Sequence, residues 1–148
     1  MTDREYEKKW GKGPHVTVDI VLFWNDKVLL IQREDTYWAL PGGFVGHAES
    51  LSRAANRELK EETDIEWWFG HLNPVVYDDP NRDERSRMIT HVFIDEFEYH
   101  DDDYGYVPAA GDDAIAAQWM SLKEAHRITL FADHNQILVD AVVARSKK

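Results

Sequence analysis

The stretch that decides the fold runs from residue 51 to residue 62 and reads Leu51-Ser52-Arg53-Ala54-Ala55-Asn56-Arg57-Glu58-Leu59-Lys60-Glu61-Glu62. A helix turns by roughly 100° per residue, so the apolar positions, Ala54 and Ala55 among them, share one side. Glu58 and Glu62 project into this apolar sector, and Glu61 flanks it. The helix therefore carries carboxylates where its spacing predicts contact with a core.

Ionised carboxylates on the core-facing side of a helix are costly unless a cation compensates them. The i, i+3, i+4 spacing of Glu58, Glu61 and Glu62 suits a divalent metal ion, which takes oxygen ligands. Most helices rich in glutamate form surface salt bridges instead. Here the nearby cations, Arg53 and Lys60, lie on the opposite face, so the pattern favours a metal site.

The composition excludes several classes of protein. The chain has 148 residues, a net charge of −11 and no cysteine. This length predicts a single domain spanning residues 1–148, and the missing cysteine excludes thiol catalysis and Cys-based zinc sites. The negative charge repels nucleic acid and anionic membranes. No apolar run reaches the roughly 20 residues that span a bilayer, and the charged N-terminus is unlike a signal peptide. We therefore expect a cytoplasmic protein with neither nucleic acid nor membrane as a partner.

Strand and helix patterns alternate along the chain. Runs of β-branched and aromatic residues predict strands at 16–24, 28–32, 37–40, 75–77, 87–97 and 114–120. Helices are expected over residues 49–63, after a capping box formed by Ser121 and Glu124, and from Asp133 to Val143. Pro41-Gly42-Gly43 ends the third strand and opens a loop to Ala48. The alternation predicts one α/β domain.

The glutamate helix belongs to a longer pattern with fixed spacing. Gly43 is followed after five residues by Glu49, and after seven more by Arg57-Glu58-Leu59-Lys60-Glu61-Glu62-Thr63-Asp64-Ile65. This resembles the Nudix box, G-x5-E-x7-R-E-U-x-E-E-x-G-U, in which U is aliphatic. The single departure is Asp64 in place of the last glycine. That glycine ends the helix in a left-handed conformation, which Asp tolerates better than most residues, so we expect a changed helix exit and intact chemistry.

The resemblance implies a Nudix fold, an α/β/α sandwich with a mixed β-sheet. It also implies hydrolysis of a nucleoside diphosphate linked to another moiety. The cofactor is then Mg²⁺, with Mn²⁺ as a substitute, which neutralises the pyrophosphate and lowers the pKa of a bound water. Arg57 joins the catalytic group and pairs with Glu49, which holds the loop on the helix. The implied metal ligands are Glu58, Glu61, Glu62 and the carbonyl of Gly42.

The general base is open between a glutamate of the box and an acidic residue on a distant loop. Asp112 and Asp113 lie just before the strand predicted from Ala114. Asp113 is the candidate on that loop, although a solvated acidic turn explains the pair equally well.

Segments outside the box resemble one branch of the superfamily, at residues 17–21, 38–45, 85–91, 111–114 and 131–134. That branch contains ADP-ribose pyrophosphatases and the NAD-linked Nudix transcription regulators. The resemblance implies ADP-ribose as substrate, hydrolysed to AMP and ribose 5-phosphate. Arg85 and Arg87 would then bind phosphate or ribose oxygens, which supplies the positive charge that the acidic chain lacks. Arg82, in the same cluster, is expected to be a solvated loop residue.

Several aromatic residues have structural interpretations. Core packing is expected of Tyr37, Trp38 and Phe44, rather than stacking against adenine, and His134 is expected to be structural. Trp67-Trp68-Phe69 reads as an exposed aromatic cluster after the helix; it could belong to the core, but it is also consistent with a homodimer contact.

Two other functions remain open on the sequence. One is a Nudix hydrolase that acts on a dinucleotide, NADH or a nucleoside triphosphate. The other is a nucleotide-binding sensor that keeps the fold without catalysis. The complete set of Arg57, Glu58, Glu61 and Glu62 counts against the sensor, which has no need of a full metal site.

Overall fold

The computed structural model describes residues 2–97 and 114–147. The helices in this range are α1 (Asp3–Trp10), α2 (Leu51–Thr63), α3 (Leu122–Ala125) and α4 (His134–Ser146). The strands are β1 (His15–Trp24), β2 (Lys27–Arg33), β3 (Trp38–Ala39), β4 (Gly42–Phe44), β5 (Val75–Tyr77), β6 (Met88–Glu96) and β7 (Ala114–Ser121). Within the described ranges, no helix has the length and apolar character needed to cross a membrane.

The strands form one seven-stranded sheet with the order β3-β2-β1-β6-β5, to which β4 is added beside β1 and β7 beside β2. β1 and β6 run parallel, and the remaining pairs run antiparallel. Residues 17–23 of β1 are all buried. Such continuous burial is typical of a central strand covered on both faces.

Side chains of β1 alternate between two cores because successive residues of a strand point to opposite faces. Ile20 and Leu22 pack in the core that contains the α2 residues Ala54, Ala55 and Leu59. Val21 and Phe23 pack in the core that contains the α4 residues Ile137, Leu138 and Ala141. Helices therefore cover both faces of a mixed sheet, which confirms the predicted α/β/α architecture.

The segment after Pro41 differs from its prediction as a loop. Gly42–Phe44 forms β4, which pairs with residues 17–19 of β1. A Cβ on Gly42 would lie 2.2 Å from the carbonyl oxygen of Val18, so only glycine lets these two backbones come together. The helix that follows begins at Leu51, later than predicted, because Ser50 caps it by accepting a hydrogen bond from the Arg53 amide. α1 was not predicted, because its mostly charged segment has no apolar stripe that would indicate a helix.

The helix exit at Asp64 was expected to be changed, but it keeps the left-handed conformation. Asp64 has φ 60° and ψ 16°, which is left-handed, and its amide donates to the carbonyl of Lys60. Its carboxylate lies 2.7 Å from the Lys60 ammonium. The aspartate thus ends α2 in the conformation that the box glycine normally adopts.

The aromatic run after α2 was wrongly predicted as an exposed cluster. Phe69 is fully buried and lies 5.5 Å from the ring of Phe93. Trp67 is partly buried and donates its indole N–H to Asp95 at 2.9 Å. Of the three residues only Trp68 is exposed, so the run contributes mainly to the core and gives little support to a dimer contact. Tyr37 shows the opposite error, because it is exposed where core packing was expected.

Candidate active site

A cleft of about 1210 Å³ lies where α2, β4 and the loop before β6 meet. Glu58, Glu61 and Glu62 of α2 line it, together with Gly42 and Arg57. The cleft is large for a small-molecule site, and it collects residues that are far apart in sequence.

The three glutamates of α2 have different environments. Glu62 is buried, and one of its carboxylate oxygens accepts a hydrogen bond from the Gly42 amide at 2.8 Å. The side chain of Glu58 is 15% exposed and that of Glu61 is 39% exposed. Residues four apart share a helix face, so half-buried Glu58 lies beside buried Glu62, while Glu61 stands at the edge.

Burial makes the ionised form of both inner glutamates costly. Burial, together with the charges of Glu58 and Asp19, raises the pKa of Glu62 to about 9, although the hydrogen bond from the Gly42 amide acts against this rise. Burial also raises the pKa of Glu58 to about 7, although the guanidinium of Arg57 acts against this rise. Two adjacent acids that both resist ionisation are a place where an added cation is strongly favoured.

Arg57 ties the loop before α2 to the helix. Its guanidinium donates two hydrogen bonds to Glu49, at 2.9 and 2.6 Å, and one to the Phe44 carbonyl at 3.0 Å. Its Nη1 atom also donates to Glu58 at 2.9 Å and to Glu61 at 3.1 Å. The predicted pairing with Glu49 is confirmed. All three guanidinium nitrogens of Arg57 donate hydrogen bonds within one plane. A lysine ammonium at this position could not make the same set of bonds.

The chemistry of these residues fits a hard divalent cation. Mg²⁺ and Mn²⁺ prefer carboxylate oxygens as ligands, and a cation would compensate the charge of carboxylates that are shielded from water. A Cβ on Gly43 would lie 2.5 Å from the Glu58 carboxylate, so glycine keeps the backbone close to the acid. In residues 2–97 and 114–147, however, no three acidic or histidine side chains converge as a ready metal cage. Arg57 holds Glu58 and Glu61, and Glu62 is held by a backbone amide.

A buried polar network lies beside Gly42, at the edge of the cleft. Its centre is Asp19, which was not predicted as a site residue. Asp19 accepts a hydrogen bond from the Thr90 hydroxyl at 2.6 Å. It also lies 3.5 Å from Nε2 of His134 and 3.9 Å from a guanidinium nitrogen of Arg82. The sequence signal was an aspartate inside an otherwise apolar strand.

The same network fixes the backbone that enters β4. Nδ1 of His134 accepts a hydrogen bond from the Leu40 amide at 3.0 Å. Burial lowers the pKa of His134 to about 3, so the imidazole is neutral and carries its proton on Nε2, which points at Asp19. Leu40 lies two residues before Gly42, whose amide holds Glu62. His134 was expected to be structural. In the structure it supports the backbone that holds Glu62 in the wall of the cleft formed by Glu58 and Glu62.

The three arginines of the 82–87 cluster have different environments. Arg82 was expected in solvent, but its side chain is 4% exposed and it donates two hydrogen bonds to Asp133, at 3.0 and 2.7 Å. Asp133 makes no side-chain cap for α4, since its carboxylate is used in this pair. Arg85 lines the cleft. Arg87 donates to the Asp78 carbonyl and is absent from the described cleft lining, so its expected contact with substrate is not supported.

The remaining site positions are the predicted base and two cleft residues that were not predicted. Asp112 and Asp113 lie outside the described residues, so the base on their loop stays a prediction. Arg33 and Phe131 line the cleft, although neither was singled out as a site residue. Phe131 belongs to one of the segments that resemble the ADP-ribose branch, which was the available signal.

We expect the free energy of unfolding to fall between about pH 7 and pH 9 when divalent ions are removed. The folded-state pKa of Glu62, about 9, lies above its ordinary value of 4.5. The folded protein therefore keeps a proton that the unfolded chain has lost, and stability decreases as pH rises through the folded-state pKa. Urea unfolding in a chelator measures the effect.

The control for this pH dependence uses two isosteric substitutions. Glu62→Gln cannot ionise and should flatten the dependence, while Glu66→Gln, at a side chain that is 80% exposed, should keep the wild-type slope. Equal slopes in the wild type and Glu62→Gln would contradict the burial of an ionisable Glu62.

Comparison with known proteins identifies the family. The NUDIX domain model matches residues 13–141. The ADP-ribose pyrophosphatase of Methanocaldococcus jannaschii is 37% identical over 131 residues, which covers 86% of this chain and 72% of that protein. The ADPR responsive transcriptional repressor NtrR of Acinetobacter baylyi is 29% identical over 157 residues, which covers 97% of this chain and 59% of the repressor.

Solved structures agree with this result. A bifunctional NMN adenylyltransferase/ADP ribose pyrophosphatase from Francisella tularensis, complexed with AMP and a Mn ion, has a TM-score of 0.80 and 32% identity, and the match covers 95% of this chain and 44% of that protein. The NUDIX domain of Shewanella oneidensis NrtR, complexed with ADP ribose, has a TM-score of 0.76 and 27% identity, with 98% of this chain and 99% of that domain covered. The family match, these relatives and the glutamates of α2 agree, and the chain belongs to the NUDIX domain family.

Proposed function

We propose that this Nudix pyrophosphohydrolase cleaves the pyrophosphate bond of ADP-ribose to AMP and ribose 5-phosphate, with Mg²⁺ as its cofactor and Mn²⁺ as a substitute. The observation that carries the proposal is that Glu58 and Glu62, whose pKa values burial raises, line one cleft together with Arg85 on another wall. The similarity to the M. jannaschii ADP-ribose pyrophosphatase supports the choice of substrate.

The residues have distinct tasks in this proposal. Glu58, Glu61, Glu62 and the Gly42 carbonyl would hold the ion, which supplies charge neutralisation and an activated water. Arg57 sets the positions of Glu58 and Glu61 through its hydrogen bonds. Water attacks one phosphorus, the bond to the bridging oxygen breaks, and each product leaves with one phosphate. A box glutamate or Asp113 takes the proton of that water.

Arg85 would bind the phosphate or ribose oxygens of the substrate. It lines the cleft, and its guanidinium is held by Asp83 through hydrogen bonds of 3.0 and 2.8 Å. A cation in this place offsets the repulsion between a diphosphate and a chain with a net charge of −11. The homodimer and the cytoplasmic location expected from the sequence stay predictions.

A second candidate function is an ADP-ribose sensor without catalysis. The similarity to the repressor NtrR, and to an NrtR domain that binds ADP ribose, favours it. The intact Arg57, Glu58, Glu61 and Glu62 favour hydrolysis over the sensor. Hydrolysis of a dinucleotide, NADH or a nucleoside triphosphate remains the alternative within the enzyme class.

A substrate panel with Mg²⁺ tests the proposal. ADP-ribose should have the highest kcat/KM among ADP-ribose, NADH, a dinucleoside diphosphate and ATP, with AMP and ribose 5-phosphate formed in equal amounts. A chelator should abolish turnover. A higher kcat/KM for another compound would overturn the substrate, and nucleotide binding without any turnover would establish the sensor.

Within the same assay, Glu62→Gln should lose more kcat than the roughly 10- to 100-fold that follows when a hydrogen-bond partner of a metal ligand is removed. Glu66→Gln makes the same chemical change at an exposed position and should keep wild-type activity. Near-normal kcat in Glu62→Gln would contradict its role as a metal ligand.

Gly43→Ala should lower kcat while the protein stays folded. The added Cβ would lie 2.5 Å from the Glu58 carboxylate, which ends a flexible side chain and can move aside. A displaced metal ligand should reduce kcat at least about tenfold. Gly46→Ala makes the same change in the same loop, but its Cβ would lie 3.3 Å from Glu49 and away from Glu58, so its kcat should fall less. Equal kcat in the two variants would contradict the importance of the Glu58 position.

A further inference from the structure

We propose that Arg33 and Arg85, both packed against the ring of Phe131, form a phosphate-binding site in the cleft. The inference rests on the proposed function, because the site would take one of the two phosphates of the diphosphate substrate. Arg33 and Phe131 thereby become substrate-recognition residues, Arg33 by direct contact and Phe131 by positioning the guanidinium.

Three separate segments bring these residues together. Arg33 ends β2, Arg85 lies in the loop before β6, and Phe131 precedes α4. The guanidinium carbon of Arg33 lies 3.7 Å from the centre of the Phe131 ring, and that of Arg85 lies 5.1 Å from it. All three residues line the cleft. Two guanidinium groups beside one ring repel each other, so an anion bound between them would be favoured.

Each guanidinium is partly neutralised by a nearby aspartate. Asp35 accepts a hydrogen bond from Nε of Arg33 at 3.2 Å, and Asp83 accepts two from Arg85. In the described part of the chain, the two terminal nitrogens of Arg33 have no hydrogen-bond acceptor, and its side chain is 32% exposed. A pair of donors in one plane matches two oxygens of a phosphate group.

The backbone around Arg33 is irregular in a way that directs its side chain. The pairing of β2 with β7 shifts register between Gln32 and Arg33. Such irregularities turn a side chain away from the regular alternation of a strand. The turn that follows contains Thr36 at φ 72°, whose amide donates to the Arg33 carbonyl at 2.9 Å. A β-branched residue at positive φ is strained, and strain of this kind is concentrated at binding sites.

The position of the site in the cleft suits a diphosphate. Arg33, Glu58 and Glu62 line the same cleft from different secondary-structure elements, so one ligand in the cleft can contact both the arginine and the glutamates. A ligand with two phosphates can therefore place one at the glutamates with their cation and the other at Arg33 and Arg85. Packing on Phe131 restrains the guanidinium before the ligand arrives, which lowers the entropy lost on binding.

The test combines kinetics with binding. Arg33→Gln should raise KM for ADP-ribose about 10- to 100-fold, the loss expected for a charge-assisted pair of hydrogen bonds, with kcat little changed. Arg33→Lys should not restore KM, because an ammonium lacks the planar fork. Arg127→Gln removes the same charge from an exposed residue outside the cleft and should match the wild type.

Phe131 provides a second, independent variant. Phe131→Leu keeps an apolar side chain and removes the ring face, so KM should rise, whereas Phe131→Tyr keeps the ring and should restore the wild-type KM. Thermal unfolding of each variant separates loss of recognition from loss of structure.

Calorimetric titration with AMP and with ribose 5-phosphate shows which phosphate the site binds. A selective loss of affinity for one of them in Arg33→Gln supports the proposal and assigns that end of the substrate. Unchanged KM and unchanged affinity for both compounds overturn it, as does a wild type that binds neither. A wild type that binds these compounds but does not hydrolyse ADP-ribose refutes the proposed function and leaves the binding comparison valid.

Discussion

The burial of two neighbouring carboxylates, Glu58 and Glu62, is the constraint on which the rest of the site depends. Taking a carboxylate out of water costs several kcal/mol unless the group is protonated or paired. Here burial raises the pKa of Glu62 to about 9 and that of Glu58 to about 7. A divalent cation is the partner that would let both be charged at neutral pH.

The surrounding structure is arranged to keep these carboxylates in place. The strand pairing of β4 with β1 brings the Gly42 amide to Glu62, and glycine is required there because the Val18 carbonyl is so close. Arg57 fixes Glu58 from the other side while it anchors the preceding loop through Glu49. The buried pair of Asp19 and His134 supports the same backbone from within the sheet. The proposed substrate-recognition residues, Arg85 and Arg33, line a different wall of the cleft.

Much of this was readable in the sequence because it depends on local spacing. The helix, the glutamates on its core-facing side and the Arg57–Glu49 pair follow from residues close in the chain. The environment of Arg82 was predicted wrongly because it depends on a tertiary partner: Arg82 donates to Asp133, which is 51 residues away. Arg33 was not predicted as a site residue because its stacking partner, Phe131, is distant in the sequence.

Calorimetric titration of the substrate-free protein with Mn²⁺, in buffers of different ionisation enthalpy, tests the central claim most directly. If buried, protonated Glu58 and Glu62 are the ligands, binding at about pH 7 must release protons, and Glu62→Gln must weaken binding at least about tenfold with less proton release. Binding of equal strength in the wild type and Glu62→Gln, without proton release in either, would contradict the account.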